Sequence, residues 1–145
     1  MKRFINIFGI LIVLIGVFFV AHGIWSANEK KLDQIDYDMF MRLIKDMHYQ
    51  IEELAPDTMP LFPVSGLPLE INGETAIVYE FKTNAEAEYQ TSNIEGDGYH
   101  VGKAWVSWMD TPHFYQRGRL IVIYVGNTGL ILDDLKNIMG KQVYG

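Results

Sequence analysis

Two hydrophobic patterns divide the chain. From Phe4 to Trp25 it reads FINIFGILIVLIGVFFVAHGIW, twenty-two positions with no Asp, Glu, Lys or Arg. As a helix rising about 1.5 Å per residue this run spans roughly 33 Å, against a hydrocarbon core of about 30 Å, and it predicts a transmembrane helix. From Asn28 to Leu54 the pattern changes: Phe40, Ile44, Met47, Ile51 and Leu54 recur at four-and-three spacing, with Asp36, Asp38, Lys45, Asp46, Glu52 and Glu53 filling much of the remainder. That spacing predicts one long amphipathic helix, a stalk near the bilayer whose later half docks on a folded domain. The same face also suits pairing with a second copy, although two heptads favour it only weakly.

Pro56 ends that helix, and Pro60, Pro63 and Pro68 keep the following residues extended, because proline supplies no amide donor and disfavours helix at its predecessor. Met59, Leu61, Phe62, Val64 and Leu67 make this connector apolar enough to lie along the domain surface. Leu69-Glu70-Ile71 then meets Asn72-Gly73, a pair suited to the positive backbone angles of a two-residue hairpin, and Thr75 to Phe81 returns. Thr83 and Glu86 have capping-box spacing and predict a short helix over Asn84 to Ser92. Asn93 to Val101 reads as loop. Lys103 to Met109 and Arg119 to Val125 read as strands, the second apolar on both faces and so the predicted central strand. Leu130 to Met139 predicts a helix with Ile131, Leu135 and Ile138 inward and Gly140 as its stop; Gln142 to Tyr144 is a candidate edge strand.

This order predicts an α+β fold: an N-terminal transmembrane helix and stalk helix, then a small antiparallel sheet with helices on one face. Without the first helix and strand, the order is the β-α-β-β-α-β of ferredoxin-like domains. The predicted divisions are a cytoplasmic tail (1–3), the transmembrane anchor (4–25), the stalk helix (26–55), the proline-rich connector (56–68) and an extracytoplasmic α+β domain (69–145).

Charge fixes the orientation and narrows the partners. Lys2 and Arg3 precede the apolar run, which by the positive-inside tendency leaves the N-terminus in the cytoplasm and the domain outside, although Lys30 and Lys31 flank the other end. Ala21-His22-Gly23 has the small-residue spacing of a signal-peptidase site, so the alternative is a domain secreted after cleavage behind Gly23. The length of the apolar stretch and Trp25 at the interface favour a retained anchor. The chain has eighteen Asp and Glu against twelve Lys and Arg, and two of those twelve lie before the apolar run. The remainder therefore repels phosphate backbones, and nucleic-acid binding is not expected. With no cysteine, thiol lipidation and disulfides are excluded.

The segment WVSWMDTPHFY, from Trp105 to Tyr115, with Gly118-Arg119-Leu120-Ile121-Val122-Ile123-Tyr124-Val125-Gly126 and Leu135 to Gly145, resembles a family of small uncharacterised Firmicutes lipoproteins and membrane-anchored proteins. The resemblance covers roughly the last 70 residues. It implies a location at the cell membrane and no assigned activity, and the chain departs from the lipoprotein members in lacking the lipidated cysteine.

The same segment holds the candidate chemistry. Asp110 and His113, with His100, have the types for a general acid and base, while Tyr115, Arg117 and Arg119 suit orienting an anion and Trp105 or Trp108 an apolar wall. Against this, Asp110-Thr111-Pro112 is an ordinary turn, and tryptophans three apart on a strand point to opposite faces. No nucleophile, phosphate-loop or metal-ligand spacing is present: His22, His48, His100 and His113 stand far apart, Met39-Phe40-Met41 reads as core, and Glu95-Gly96-Asp97-Gly98 lacks the downstream acids of a calcium loop. No cofactor or metal is therefore expected. The favoured function is a non-enzymatic extracytoplasmic interaction module for an envelope protein, a secreted peptide or its own twin. Its candidate patch is Trp105, Trp108, Asp110, His113, Phe114, Tyr115 and Arg117, with Phe114 and Tyr115 as contact residues. The alternative is a membrane-tethered enzyme or small-ligand binder, which needs Asp110, His113 and Arg117 to converge on one pocket.

Overall fold

A strand with no polar face has to be covered on both sides, and LIVIYV is such a strand. In the computed structural model, which describes residues 35–56, 60–96 and 98–144, it lies between two partners in a six-stranded antiparallel sheet. The elements in chain order are α1 (Tyr37–Asp46), β1 (Ile51–Glu53), β2 (Gly66–Ile71), β3 (Glu74–Glu80), α2 (Asn84–Thr91), β4 (His100–Val101), β5 (Ala104–Trp105), β6 (Pro112–Arg117), β7 (Leu120–Val125), α3 (Gly129–Met139) and β8 (Gln142–Tyr144). The sheet order is β1-β2-β3-β7-β6-β8, with β4 and β5 paired separately. The predicted anchor at 4–25 and the stalk residues 26–34 lie outside the described residues. Among the described residues no helix is long and apolar enough to cross a membrane.

The α+β class and the central place of β7 agree with the hydrophobic pattern. The placement of helices on one face does not. Leu120, Val122 and Tyr124 of β7 pack with Phe40, Met41 and Ile44 of α1 and with Ile131, Leu135 and Ile138 of α3. Ile121 and Ile123 pack on the other side with Ala87 of α2, Val101 of β4 and Phe62 of the connector. The helices therefore cover both faces, and that is why every residue from Leu120 to Tyr124 is fully buried. Each of these aliphatic side chains contributes roughly 2 kcal/mol by leaving water.

The predicted stalk helix is shorter than its periodicity implies. Asp36 caps α1 by accepting the Met39 amide at 2.9 Å, and Phe40 and Ile44 face the core as expected. The helix stops at Asp46; His48 takes a left-handed backbone conformation (φ 63°), and Ile51–Glu53 forms β1 on β2 instead of a further turn. Leu54 is exposed. The connector is also shorter than predicted, because Gly66, Leu67 and Pro68 already belong to β2. Pro68 keeps its carbonyl in use by accepting the Leu54 amide at 2.9 Å. Phe62 lies edge-on to Tyr79 and is buried, so the connector does run along the domain.

The local turn signals hold. Asn72 and Gly73, both at positive φ, join β2 to β3 with Ile71 opposite Glu74. Thr83 accepts the Glu86 amide at 3.2 Å and caps α2. The strand predicted over Lys103 to Met109 is corrected: only Ala104 and Trp105 are extended there, and the long strand is β6, joined to β7 across Gly118 and Arg119. The final strand also departs from the ferredoxin-like order. β3, β7 and β6 lie as that order requires, but β8 pairs with β6, and the flank of β3 that would receive it is held by β2.

Candidate functional site

The candidate segment splits at Asp110 into an excursion and a core strand. In the excursion the two tryptophans point opposite ways. Trp105 is 70% exposed and meets His100 edge-on at 4.2 Å, its partner across β4 and β5. Trp108 turns inward: its indole N–H donates to the Gly98 carbonyl at 2.8 Å, and its ring lies edge-on to Phe114 at 5.9 Å. Met109 follows, wholly exposed. One tryptophan thus fastens the excursion to the sheet while the other stands in solvent. Asp110 is exposed and accepts from the Asn127 side-chain amide at 2.6 Å, closing the end of the excursion against the start of α3.

On β6 the strand period sorts the remaining candidates. Phe114 faces α2 and the connector; His113, Tyr115 and Arg117 face α3. Phe114 and Tyr115 are both fully buried, which corrects their expected role as contact residues: a strand covered on both faces has no outward side chains. His113 is also buried and stacks on Tyr124, its cross-strand neighbour, at 5.9 Å. Arg117 donates to the Ile138 carbonyl at the end of α3, at 3.0 Å. His113 and Arg117 are four residues apart on one strand, about 13 Å. Asp110, His113 and Arg117 thus engage Asn127, Gln142 and Ile138 respectively and build no common pocket.

His113 instead belongs to a structural network. The Gln142 side-chain nitrogen lies 3.0 Å from its Nδ1 and donates to the Tyr115 hydroxyl at 2.9 Å, binding β8 to β6. The other ring nitrogen, Nε2, is buried and has no hydrogen-bond partner among the described residues. Beside it the Tyr124 hydroxyl donates to Glu74 and accepts the Thr128 amide at 3.2 Å at the first turn of α3. Burial, then the Glu74 carboxylate, pushes the Tyr124 phenol up from its ordinary value. These groups are held as fixed partners, which suits positioning and not proton transfer. No cluster of three or more His, Asp or Glu with metal-binding geometry occurs among the described residues.

The sequence did not single out the groove beside β8. A cavity of about 540 Å³ runs there with Tyr115 at its floor, Leu132, Asp133 and Lys136 of α3 on one side, and Gln142, Val143 and Tyr144 on the other. Of the candidate residues only Tyr115 reaches it. The available signal was the edge strand itself next to Lys136 and Lys141, two cations close together in an acidic chain.

No known family model, curated protein or solved structure matches this chain. The site is therefore interpreted from its own geometry.

Proposed function

We propose that this chain is a membrane-anchored, extracytoplasmic interaction module without enzymatic activity, and that it meets its partner with the excursion between β4 and β6. The observation that carries this is the exposure of Trp105 and Met109, on either side in sequence of a Trp108 held by its hydrogen bond to the Gly98 carbonyl. Leaving a tryptophan and a methionine in water forfeits several kcal/mol of transfer free energy, and aromatic and methionine side chains are enriched where partners dock. Tyr99, half-exposed just before β4 and accepting the Val106 amide through its carbonyl, adds to the patch. The anchor is supported by the uncharged run from Phe4 to Trp25 with Lys2 and Arg3 ahead of it. The partner is another envelope protein or a secreted peptide.

Full-length chain carrying Trp105→Ala and Met109→Ala, crosslinked in its own membrane, is expected to lose its crosslinked product while keeping its melting temperature. An undiminished product would overturn the surface. The full chain is expected to partition into the detergent phase, and a chain beginning at Ser26 into the aqueous phase; equal partitioning would overturn the anchor.

A further inference from the structure

The two edges of the sheet are finished differently. At one end β1 presents Glu52 and Glu53, with Glu70 beside them on β2, and Glu53 is ion-paired to Lys45 at 3.0 Å. Charged side chains on a short strand are the usual guard against a further strand joining. At the other end β8 reads Gln142-Val143-Tyr144, with no charge on the strand. It pairs only with β6 among the described residues, and its register shifts between Phe114 and Tyr115. Val143, on this edge, is partly exposed.

We propose that the groove between α3 and β8 is a strand-addition site that takes an extended, carboxylate-bearing peptide segment of another protein. A helix lying alongside an unguarded edge strand is the geometry in which a peptide gains main-chain hydrogen bonds from the edge and side-chain contacts from the helix. The cavity here has that form: Leu132 offers an apolar wall, and the opening is bounded on the far side by Gly96.

Charge selects the occupant. The chain carries a net charge of −6, which disfavours acidic partners over most of its surface. Yet Lys136 and Lys141 both line this groove against the single Asp133, and neither lysine is ion-paired among the described residues. An extended peptide places alternate side chains on opposite sides, and the set turned toward α3 meets Lys136, one helical turn beyond Leu132, with Lys141 just before β8. The segment that fits carries acidic residues at alternate positions, all turned toward α3. This surface is separate from the Trp105 patch, so it goes beyond the interaction proposed above and stands or falls apart from it.

The test is fluorescence anisotropy with full-length protein in detergent and a fluorescein-labelled pentapeptide of alternating glutamate and valine. Binding is expected, weakening with added salt and weakening about tenfold when Lys136→Glu and Lys141→Glu are combined. The same peptide N-methylated at alternate residues is expected not to bind, because its main chain cannot donate to the edge; this arm leaves the protein unaltered. A lysine-valine peptide is expected not to bind. Trp105→Ala is expected to bind the glutamate peptide unchanged. Absence of binding would overturn the proposal, as would equal binding of the N-methylated peptide or competition by free glutamate at the same concentration. Self-association through this edge at the same protein concentration, lost in the lysine variant, would make a second copy the occupant and likewise overturn it.

Discussion

Phe114 and Trp105 are large aromatic residues of the same motif, yet they stand at opposite ends of the burial scale. Phe114 is fully enclosed between Ile121, Ile123 and the Trp108 ring, whereas Trp105 is largely exposed and meets His100 edge-on. Phe114→Ala removes a core side chain and leaves a cavity, and is expected to cost about 3 to 5 kcal/mol in a urea titration. Trp105→Ala is expected to stay within about 0.5 kcal/mol of the parent. A comparable loss for both would place Trp105 in the core and remove it as a contact residue. The sequence shows that these residues are apolar and aromatic but not which are enclosed. On a strand covered from both sides the usual alternation of polar and apolar residues disappears, so Phe114 and Tyr115 carry no mark of burial. Trp105 and Trp108 were legible as pointing opposite ways, though not which of them faces water.

At the scale of elements, the signals that survived are short-range and backed by stereochemistry. Asn72-Gly73 supplies the two positive φ angles of its hairpin, and Thr83 supplies the cap of α2. Thr83→Ala is expected to lower stability by about 1 kcal/mol, because the Glu86 amide loses its acceptor; Thr83→Ser, which keeps the hydroxyl, is expected to restore most of it. If serine behaves like alanine, the cap contributes nothing. The end of α1 was not legible because Met47, Ile51 and Leu54 continue a helical period while the chain has in fact turned. A left-handed residue stops the helix there, and His48 is not a residue type that announces one. β6 was concealed in the same way: Pro112 suggests a turn, and it occupies the first position of the strand, where a missing amide donor is tolerated.

Across the whole molecule, tyrosine hydroxyls tie α1 and its neighbour to distant segments. Tyr37 donates to Glu53 at 3.2 Å, and Tyr49 donates to Asp134 of α3 at 2.6 Å. Burial, followed by the charge and hydrogen bond of Glu53, pushes the Tyr37 phenol up to about 12. Burial, followed by the Asp134 hydrogen bond, pushes Tyr49 up to about 12 as well. An unfolded tyrosine loses its proton near pH 10, so the folded state holds these protons more tightly and their stabilising contribution is complete below pH 10. It is lost as pH rises from about 10 through about 12. Urea midpoints measured from pH 9 upward are expected to fall across that window. The Tyr37→Phe, Tyr49→Phe double variant is expected to fall less steeply, starting from a lower value at neutral pH. A parallel fall in both proteins would show that other groups govern alkaline unfolding. The layered α+β organisation was open to inference from the pattern because it depends on which strand is apolar throughout. The long-range ties were not, since nothing near Tyr49 in the sequence indicates Asp134.

The central strand has a consequence for how the chain is made. β7 sits between β3 and β6 but is the last but one of the strands to leave the ribosome. Until residue 125 has emerged, the early meander of β1, β2 and β3 has nothing on its inner flank, and each helical layer lacks the part of its apolar floor that β7 supplies. A nascent chain stalled before Leu120 is therefore a sticky half-sheet, so any quality-control protease or chaperone that meets this protein during its synthesis has its opening in that interval.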